Sequence, residues 1–366
     1  MRDPSDRPEA EGIDLGRLAP RLLAGVVLAV LAVSGLLLFG DVRRLGTALR
    51  EFQWWFLVPA MVLTLWNYAL RYLKWQLYLA RIGVRGVPLG TSVLVFLSAF
   101  ALSITPGKLG EFIKCAVLKR LAGTPVSRST AAVVAERLTD GLAMVLLAAA
   151  GAWLFPTGRP VIVAATLLAL VAVVLLQRPR LIEAIIDRLP AHTALQRLTD
   201  HAEHFLDASG ALVGPRLLAI GTGLGVVAWL GECGALFLIL LGLGVPATWE
   251  VFLIATFVLA VSSLAGALSM LPGGIGVAEA SVTAMLLLLV PGGVLDRGEA
   301  VAATLLIRFA TLWFAVLIGA VALVALRGRL AAATGRQEGR PSGPAGSRHG
   351  EGWPPVPVAE RGGGRR

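Results

Sequence analysis

Ala99-Phe100-Ala101-Leu102-Ser103-Ile104-Thr105-Pro106-Gly107-Lys108-Leu109-Gly110 is written a second time as Ala265-Gly266-Ala267-Leu268-Ser269-Met270-Leu271-Pro272-Gly273-Gly274-Ile275-Gly276. Both stretches read A-x-A-L-S-x-x-P-G-x-x-G, and both lie between apolar runs. Proline removes a backbone donor and glycine permits turns closed to other residues, so each marks a helix broken inside a hydrophobic region. An acidic residue follows each break, Glu111 and Glu279. Two breaks with one grammar are an internal repeat, which low-complexity apolar sequence does not produce by drift. The expected fold is therefore an all-α polytopic membrane protein with two discontinuous helical hairpins.

Composition sets the same class. The 366 residues are 56% hydrophobic and only 15% charged, with a mean hydropathy of +0.77, which excludes an ordinary soluble domain. The net charge of +10 does not point to nucleic acid, because the cations cluster beside apolar runs, as in loops facing anionic lipid. Cys115 and Cys233 both fall in apolar segments without metal or disulfide spacing and read as packing residues.

Outward from the breaks, the chain divides as follows. Residues 1–17 form a polar N-terminal segment, and Leu18 to Phe39 is an uncleaved first span. Gly40 to Gln53 reads as a loop, and Trp54-Trp55 as an interfacial anchor for a helix over Phe56 to Leu77. Asn67 and Arg71 lie on that helix, with Lys74 near a snorkelling end. Thr91 to Thr105 spans about 22 Å as helix, too short for a core of about 30 Å, so it reads as a half-helix. The return segment is amphipathic, with Lys108, Glu111, Lys114, Lys119 and Arg120 among apolar residues.

Thr130 to Leu154 is a span carrying Glu136, Arg137 and Asp140. Each costs about 2.5–3.5 kcal/mol if placed centrally, so they pair, sit at the interface or line a wet cavity. Val161 to Leu176 returns. Residues 178–213 form a cytoplasmic insertion read as two surface amphipathic helices; its His201 and His204 lack further ligands, and no metal site or cofactor is expected. Arg216 to Leu243 carries Trp229 and Glu232, the second hairpin follows from Trp249, and Val301 to Leu326 carries Arg308. The tail over 331–366 is rich in Gly, Pro, Arg and Ser and is expected to be disordered. The membrane domain over 18–330 thus holds about six full spans plus two re-entrant hairpins, or eight to ten crossings if the hairpins cross.

A cytoplasmic N-terminus puts most cation clusters inside, from Arg81 and Arg85 to Arg327 and Arg329. Arg43, Arg44 and Arg50 run against that rule. With this topology, helix, broken hairpin and helix occur over about 56–154 and again, inverted, over about 216–326. Inverted repeats with discontinuous helices build transporter sites near the midplane, where half-helix N-termini favour anionic groups.

Thr105-Pro106-Gly107-Lys108-Leu109-Gly110-Glu111, Glu136-Arg137-Leu138-Thr139-Asp140 and Leu271 to Glu279 resemble the signature segments of the lysylphosphatidylglycerol synthase membrane region, the flippase-like domain family. The resemblance covers roughly 18–327. It implies a bacterial inner-membrane protein that moves a phospholipid, aminoacylated phosphatidylglycerol or another lipid-linked substrate between leaflets. The sequence ends soon after its last helix, so the aminoacyl-tRNA-dependent synthase activity of bifunctional members is not expected.

The residues expected to build the site fall into two groups. Ser103, Pro106, Gly107, Gly110, Ser269, Pro272, Gly273 and Gly276 make the breaks. Lys108, Glu111, Arg137, Asp140, Glu279 and Arg308 are the headgroup candidates, with Glu136 and Glu232 as charge partners. Glu111 and Glu279 have a second reading, as braces of the breaks. Arg308 has no acid nearby in its own helix and needs a partner elsewhere. An intramembrane enzyme acting on a lipid or polyprenyl phosphate would use similar clusters but would need a nucleophile set or a DDxxD-type metal motif. A membrane scaffold would need neither broken helices nor buried charges.

Overall fold

The computed structural model describes residues 35, 41–105, 110–152, 160, 162–164, 166–168, 170, 171 and 208–338, with 331–338 as backbone. Pro106, Gly107 and Lys108, almost all of the first span and of the insertion, His201 and His204, half of Val161 to Leu176 and the tail from 339 lie outside the described residues. Every regular element among the described residues is helical. In chain order these are α1 (Val42–Glu51), α2 (Leu57–Arg81), α3 (Leu89–Ser98) with a 3₁₀ turn over Ala99–Leu102, α4 (Ile113–Ala122), α5 (Val126–Ala152) and α6 (Pro215–Gly242). There follow α7 (Trp249–Leu268), a 3₁₀ turn over Pro272–Gly274, α8 (Val277–Leu289), α9 (Arg297–Arg308), a π turn over Phe309–Trp313 and α10 (Phe314–Glu338).

The sequence is arranged inside out, as a lipid solvent requires. On α2, Asn67, Arg71, Lys74 and Tyr78 are buried while Val58, Val62, Leu65, Trp66 and Leu73 are exposed. On α10, Leu317, Val321 and Val324 are exposed. Water would drive those apolar faces inward, whereas hydrocarbon accepts them. Five described helices are long and apolar enough to cross a membrane: Trp54–Arg81, Pro215–Gly242, Trp249–Leu268, Pro272–Leu289 and Arg297–Leu330. The protein is a multi-pass membrane protein.

Helices α2 and α6 pack along their lengths, and α7 packs against α5, α6 and α8. Small residues on α6 allow the close approach: a Cβ at Gly231 would lie 2.9 Å from the Leu63 carbonyl oxygen, and one at Gly225 would lie 3.0 Å from the Ala143 Cβ. Phe257, Ile254, Leu236 and Ile239 fill the core between them.

Three elements differ from the sequence reading. Gly40 to Gln53, read as a loop, contains α1: Asp41 accepts a hydrogen bond from the Arg43 amide at 3.0 Å, and Leu45 and Ala48 are buried where α1 packs on α9. Gly298 makes that contact possible, since a Cβ there would lie 2.7 Å from the Arg44 Cβ. The last span is interrupted by the π turn. The tail expected from residue 331 is helical to Glu338, where Leu330 and three alanines favour helix.

The two hairpins are unequal. The apolar arm of the first, Leu89–Leu102, is too short to count as a span, while α7 has 20 residues and reaches about 30 Å.

Candidate functional site

At the first break the chain turns by short hydrogen bonds, Ser103 donating its amide to Phe100 O and Thr105 to Leu102 O. Across it, the Gly110 amide donates to Thr105 Oγ1 at 2.8 Å. A Cβ at Gly110 would collide with the Leu102 Cβ. Only glycine lets the two arms touch here.

Glu111 follows, 3% exposed, with its carboxylate 3.4 Å from the Arg137 guanidinium. Arg137 also reaches Glu136 at 2.9 Å and Asp140 at 3.4 Å. Glu136 is fully buried and takes two further cations, Arg71 at 3.1 Å and Lys114 at 2.9 Å. Asp140 faces the Arg71 Nε at 3.6 Å and pairs closely with Lys74. Lys74 donates as well to Thr139 Oγ1, which bonds the Tyr78 hydroxyl. Aromatic faces cover the cations from behind: Lys114 lies 4.5 Å from the Trp75 ring centroid, and Arg71 lies 5.3 Å from that of Phe100. Among the described residues, four cations (Arg71, Lys74, Lys114, Arg137) thus meet three carboxylates (Glu111, Glu136, Asp140) in one buried cluster.

The second break is built differently. Gly273, Gly274 and Gly276 hold φ of 61°, 67° and 90°, conformations that cost other residues about 1–2 kcal/mol each. Met270 holds φ 54° without being glycine. Glu279 reaches back to accept the Gly276 amide at 2.6 Å. Arg308 then clamps the turn, donating from Nε to Glu279 at 2.5 Å and from a terminal nitrogen to the Gly273 carbonyl at 2.9 Å. The partner that Arg308 needed is Glu279. Directly after Arg308, the π turn leaves the Thr311 carbonyl to accept the Tyr68 hydroxyl at 2.8 Å.

Both breaks open onto one cavity of about 370 Å³. Ser103 and Glu111 line it from the first hairpin, and Met270, Leu271 and Gly273 from the second. Arg71, Arg137, Asp140, Glu232 and Arg308 complete its charged lining. The Arg137 side chain is 28% exposed and that of Arg308 17%, against 8% or less for the carboxylates paired to them. The cations stand forward and those carboxylates behind.

The structure brings together Glu111, Glu136, Arg137, Asp140, Glu232, Glu279 and Arg308 around this cavity or directly behind it. Lys108 lies outside the described residues. Sequence reasoning missed Arg71, Lys74 and Lys114 as members of the cluster. The signal was present on α2: Asn67, Arg71, Lys74 and Tyr78 are spaced by four, three and four, a polar stripe on one face of an apolar helix.

A family model described as the lysylphosphatidylglycerol synthase TM region matches residues 23–319. The chain belongs to this family. It is 24% identical over 314 residues to a protein of Methanothermobacter thermautotrophicus named UPF0104 membrane protein, covering 80% of this chain and 90% of that one. It is also 24% identical over 306 residues to a Haloferax volcanii protein named glycosyltransferase AglD, covering 74% of this chain but 49% of the relative.

Proposed function

We propose that the protein is a lipid transporter of the flippase-like type, which carries the phosphate-bearing headgroup of a phospholipid or lipid-linked substrate between leaflets through the central cavity. The observation that carries this reading is the arrangement of charge there. The first cluster holds one more cation than carboxylates among the described residues, and Arg137, the most exposed of its members, fronts the cavity beside Arg308. A guanidinium offers a planar fork of donors that suits a phosphate, and in a low-dielectric setting such a contact is strong. Apolar groups such as Met270 and Leu271 line the same cavity, as a lipid substrate requires.

The repeat is read as inverted. Each hairpin carries an acid (Glu111 or Glu279) that pairs with an arginine on a following helix (Arg137 or Arg308). Such symmetry supports a site reachable alternately from the two sides. The membrane is taken as the bacterial inner membrane, with both termini cytoplasmic, and the substrate as an anionic or aminoacylated phospholipid. Transport is preferred to enzymatic action on a lipid phosphate because Arg71, Arg137, Arg308, Glu111 and Asp140 pair with one another or with Glu136 and Glu279, and the described lining includes neither histidine nor cysteine.

The test is a leaflet-exchange assay in proteoliposomes carrying acyl-labelled fluorescent phosphatidylglycerol, with dithionite quenching the outer leaflet. Transport requires the quenched fraction to pass well beyond the half seen in protein-free vesicles. Quenching that stops at half, with folded protein in the vesicles, would refute it.

A further inference from the structure

Helices α2 and α6 run antiparallel: a Cβ at Gly221 would meet the Tyr78 hydroxyl near the end of α2, and Phe52, before its start, lies against Gly242. Helix α5 runs with α6, placing Thr139 against Gly221 and Ala143 against Gly225. The end of α2 and the starts of α5 and α6 therefore lie together, where Tyr78, Ile82, Ala131, Leu212 and Val213 form one apolar cluster. Six cations gather at this end of the bundle. Arg81 closes α2, Arg85 follows in the turn to α3, Lys119 and Arg120 end α4 just before α5, Arg128 opens α5 and Arg216 opens α6. Arg128 is half-buried and the other five are exposed. None of the six is in an ion pair among the described residues.

The two ends of the bundle differ in their counter-charges. Around α1 and the starts of α7 and α9, Arg43, Arg44, Arg50 and Arg297 stand among Asp41, Glu51, Glu250, Asp296 and Glu299, and Arg44 pairs with Asp296 at 3.7 Å. The segments that build the basic end, 79–98, 113–130 and 208–220, hold no carboxylate at all. The helices do not call for all six cations either. A cation suits the last turn of a helix, as at Arg81, Lys119 and Arg120, but opposes the dipole in the first turn, as at Arg128 and Arg216. The anions that balance this end therefore come from outside the described chain. Exposed apolar residues beside the cations, Leu89, Leu121 and Val126, show what surrounds them. Such residues sit in hydrocarbon while arginine and lysine stems carry their charges up to headgroup level.

We propose that Arg81, Arg85, Lys119, Arg120, Arg128 and Arg216 form a binding surface for the anionic headgroups of one leaflet, at the base of the first hairpin. The surface goes beyond the transport reading, since it holds anionic lipid around the protein and not in its cavity. It also separates the two hairpins. The arms of the first start and finish among unbalanced cations, whereas those of the second start at Glu250 and finish before Asp296.

The experiment titrates the protein, purified in a non-ionic detergent, with phosphatidylglycerol or phosphatidylcholine and measures bound lipid by native mass spectrometry. The wild type is expected to bind phosphatidylglycerol at least tenfold more tightly than phosphatidylcholine, with a preference that shrinks as salt is raised. Two triple variants of equal net charge locate the binding: Arg85→Gln with Lys119→Gln and Arg120→Gln, and, at the other end, Arg43→Gln with Arg44→Gln and Arg50→Gln. One cation near an anionic surface strengthens attachment about fivefold, so the first variant should lose tenfold or more and the second less than twofold. Arg85→Lys with Lys119→Arg and Arg120→Lys keeps the charge and should bind as the wild type does. The cavity is the same in all of them, so a failure of the transport reading would leave these results standing. Equal binding of the two lipids by the wild type, or equal losses in the two glutamine variants, would overturn the surface. So would full binding by the first glutamine variant, which would place the counter-charges within residues 172–207 instead.

Discussion

At the second break, Arg308 is occupied twice over, by the Glu279 carboxylate and by the Gly273 carbonyl, so its charge serves to hold a turn of three left-handed glycines. At the first break the described turn is closed by uncharged groups, Thr105, Gly110 and the close approach to Leu102. Its arginine, Arg137, instead joins a cluster in which cations outnumber carboxylates among the described residues. The same grammar of Pro, Gly, Glu and Arg thus yields a brace in one half and a surplus positive charge in the other. Two copies of a motif can fold alike and divide the labour of binding and support, and their stability and transport should then respond differently to the same kind of substitution.

The largest expected effect on stability comes from Glu136→Gln. Three cations share that fully buried carboxylate, and removing one member of a buried ion pair costs about 3–5 kcal/mol. A thermal melt of the purified protein in detergent should show the lowest midpoint of any single substitution in the cluster. A midpoint within a degree or two of the wild type would mean that Glu136 does not anchor the cluster.

Next is Gly110→Ala, where the new Cβ meets Leu102 and the arms must separate. Overpacking of this kind costs about 1–3 kcal/mol. At the second break, Gly276 has open space around a Cβ but φ of 90°, so Gly276→Ala carries backbone strain of about 1–2 kcal/mol instead. The two variants sharpen the contrast: at Gly110 valine should lower the midpoint further than alanine, because the clash with Leu102 grows with the side chain, whereas at Gly276, where a Cβ meets nothing within 4 Å, alanine and serine should melt alike.

The smallest is Tyr68→Phe, which removes one hydrogen bond to the π turn and costs about 1 kcal/mol. Hydrogen exchange at the amides of residues 309–315 should quicken, and unchanged protection there would dissociate Tyr68 from the turn.

What the sequence makes legible follows from the range of the interactions. The breaks are local chemistry: proline and glycine act on their own backbone, and the second break falls at Pro272–Gly274 as the repeat requires. The need of Arg308 for a distant acid follows from the cost of a lone buried charge. The cluster of Glu136, Arg137 and Asp140 is visible because its members share one helix. By contrast, Lys114 and Lys74 look like ordinary helix-end cations, and only tertiary packing puts them beside Glu136 and Asp140. In α1, Val42, Leu45 and Leu49 carry a helical spacing, but ten residues flanked by glycine and an aromatic turn read equally as a loop. The π turn has no local signature, because Phe309–Trp313 is as good an α-helix sequence as its neighbours.

The contrast between the two arginines is tested most directly by measuring, for Arg137→Gln and Arg308→Gln side by side, the thermal midpoint in detergent and the rate of phosphatidylglycerol exchange per folded molecule. Removing Arg137 leaves Glu136 with Arg71 and Lys114, and Asp140 with Lys74 and Arg71, but takes the guanidinium from Glu111, so the midpoint should fall less than for Glu136→Gln while exchange per folded molecule falls at least tenfold. Removing Arg308 leaves Glu279 only the Gly276 amide and takes the side-chain donor from the Gly273 carbonyl, and should lower stability by about 1.5–3 kcal/mol. If Arg137→Gln instead melts as early as Arg308→Gln, and its folded fraction exchanges lipid at the wild-type rate, then both arginines are braces and the surplus charge has no part in binding.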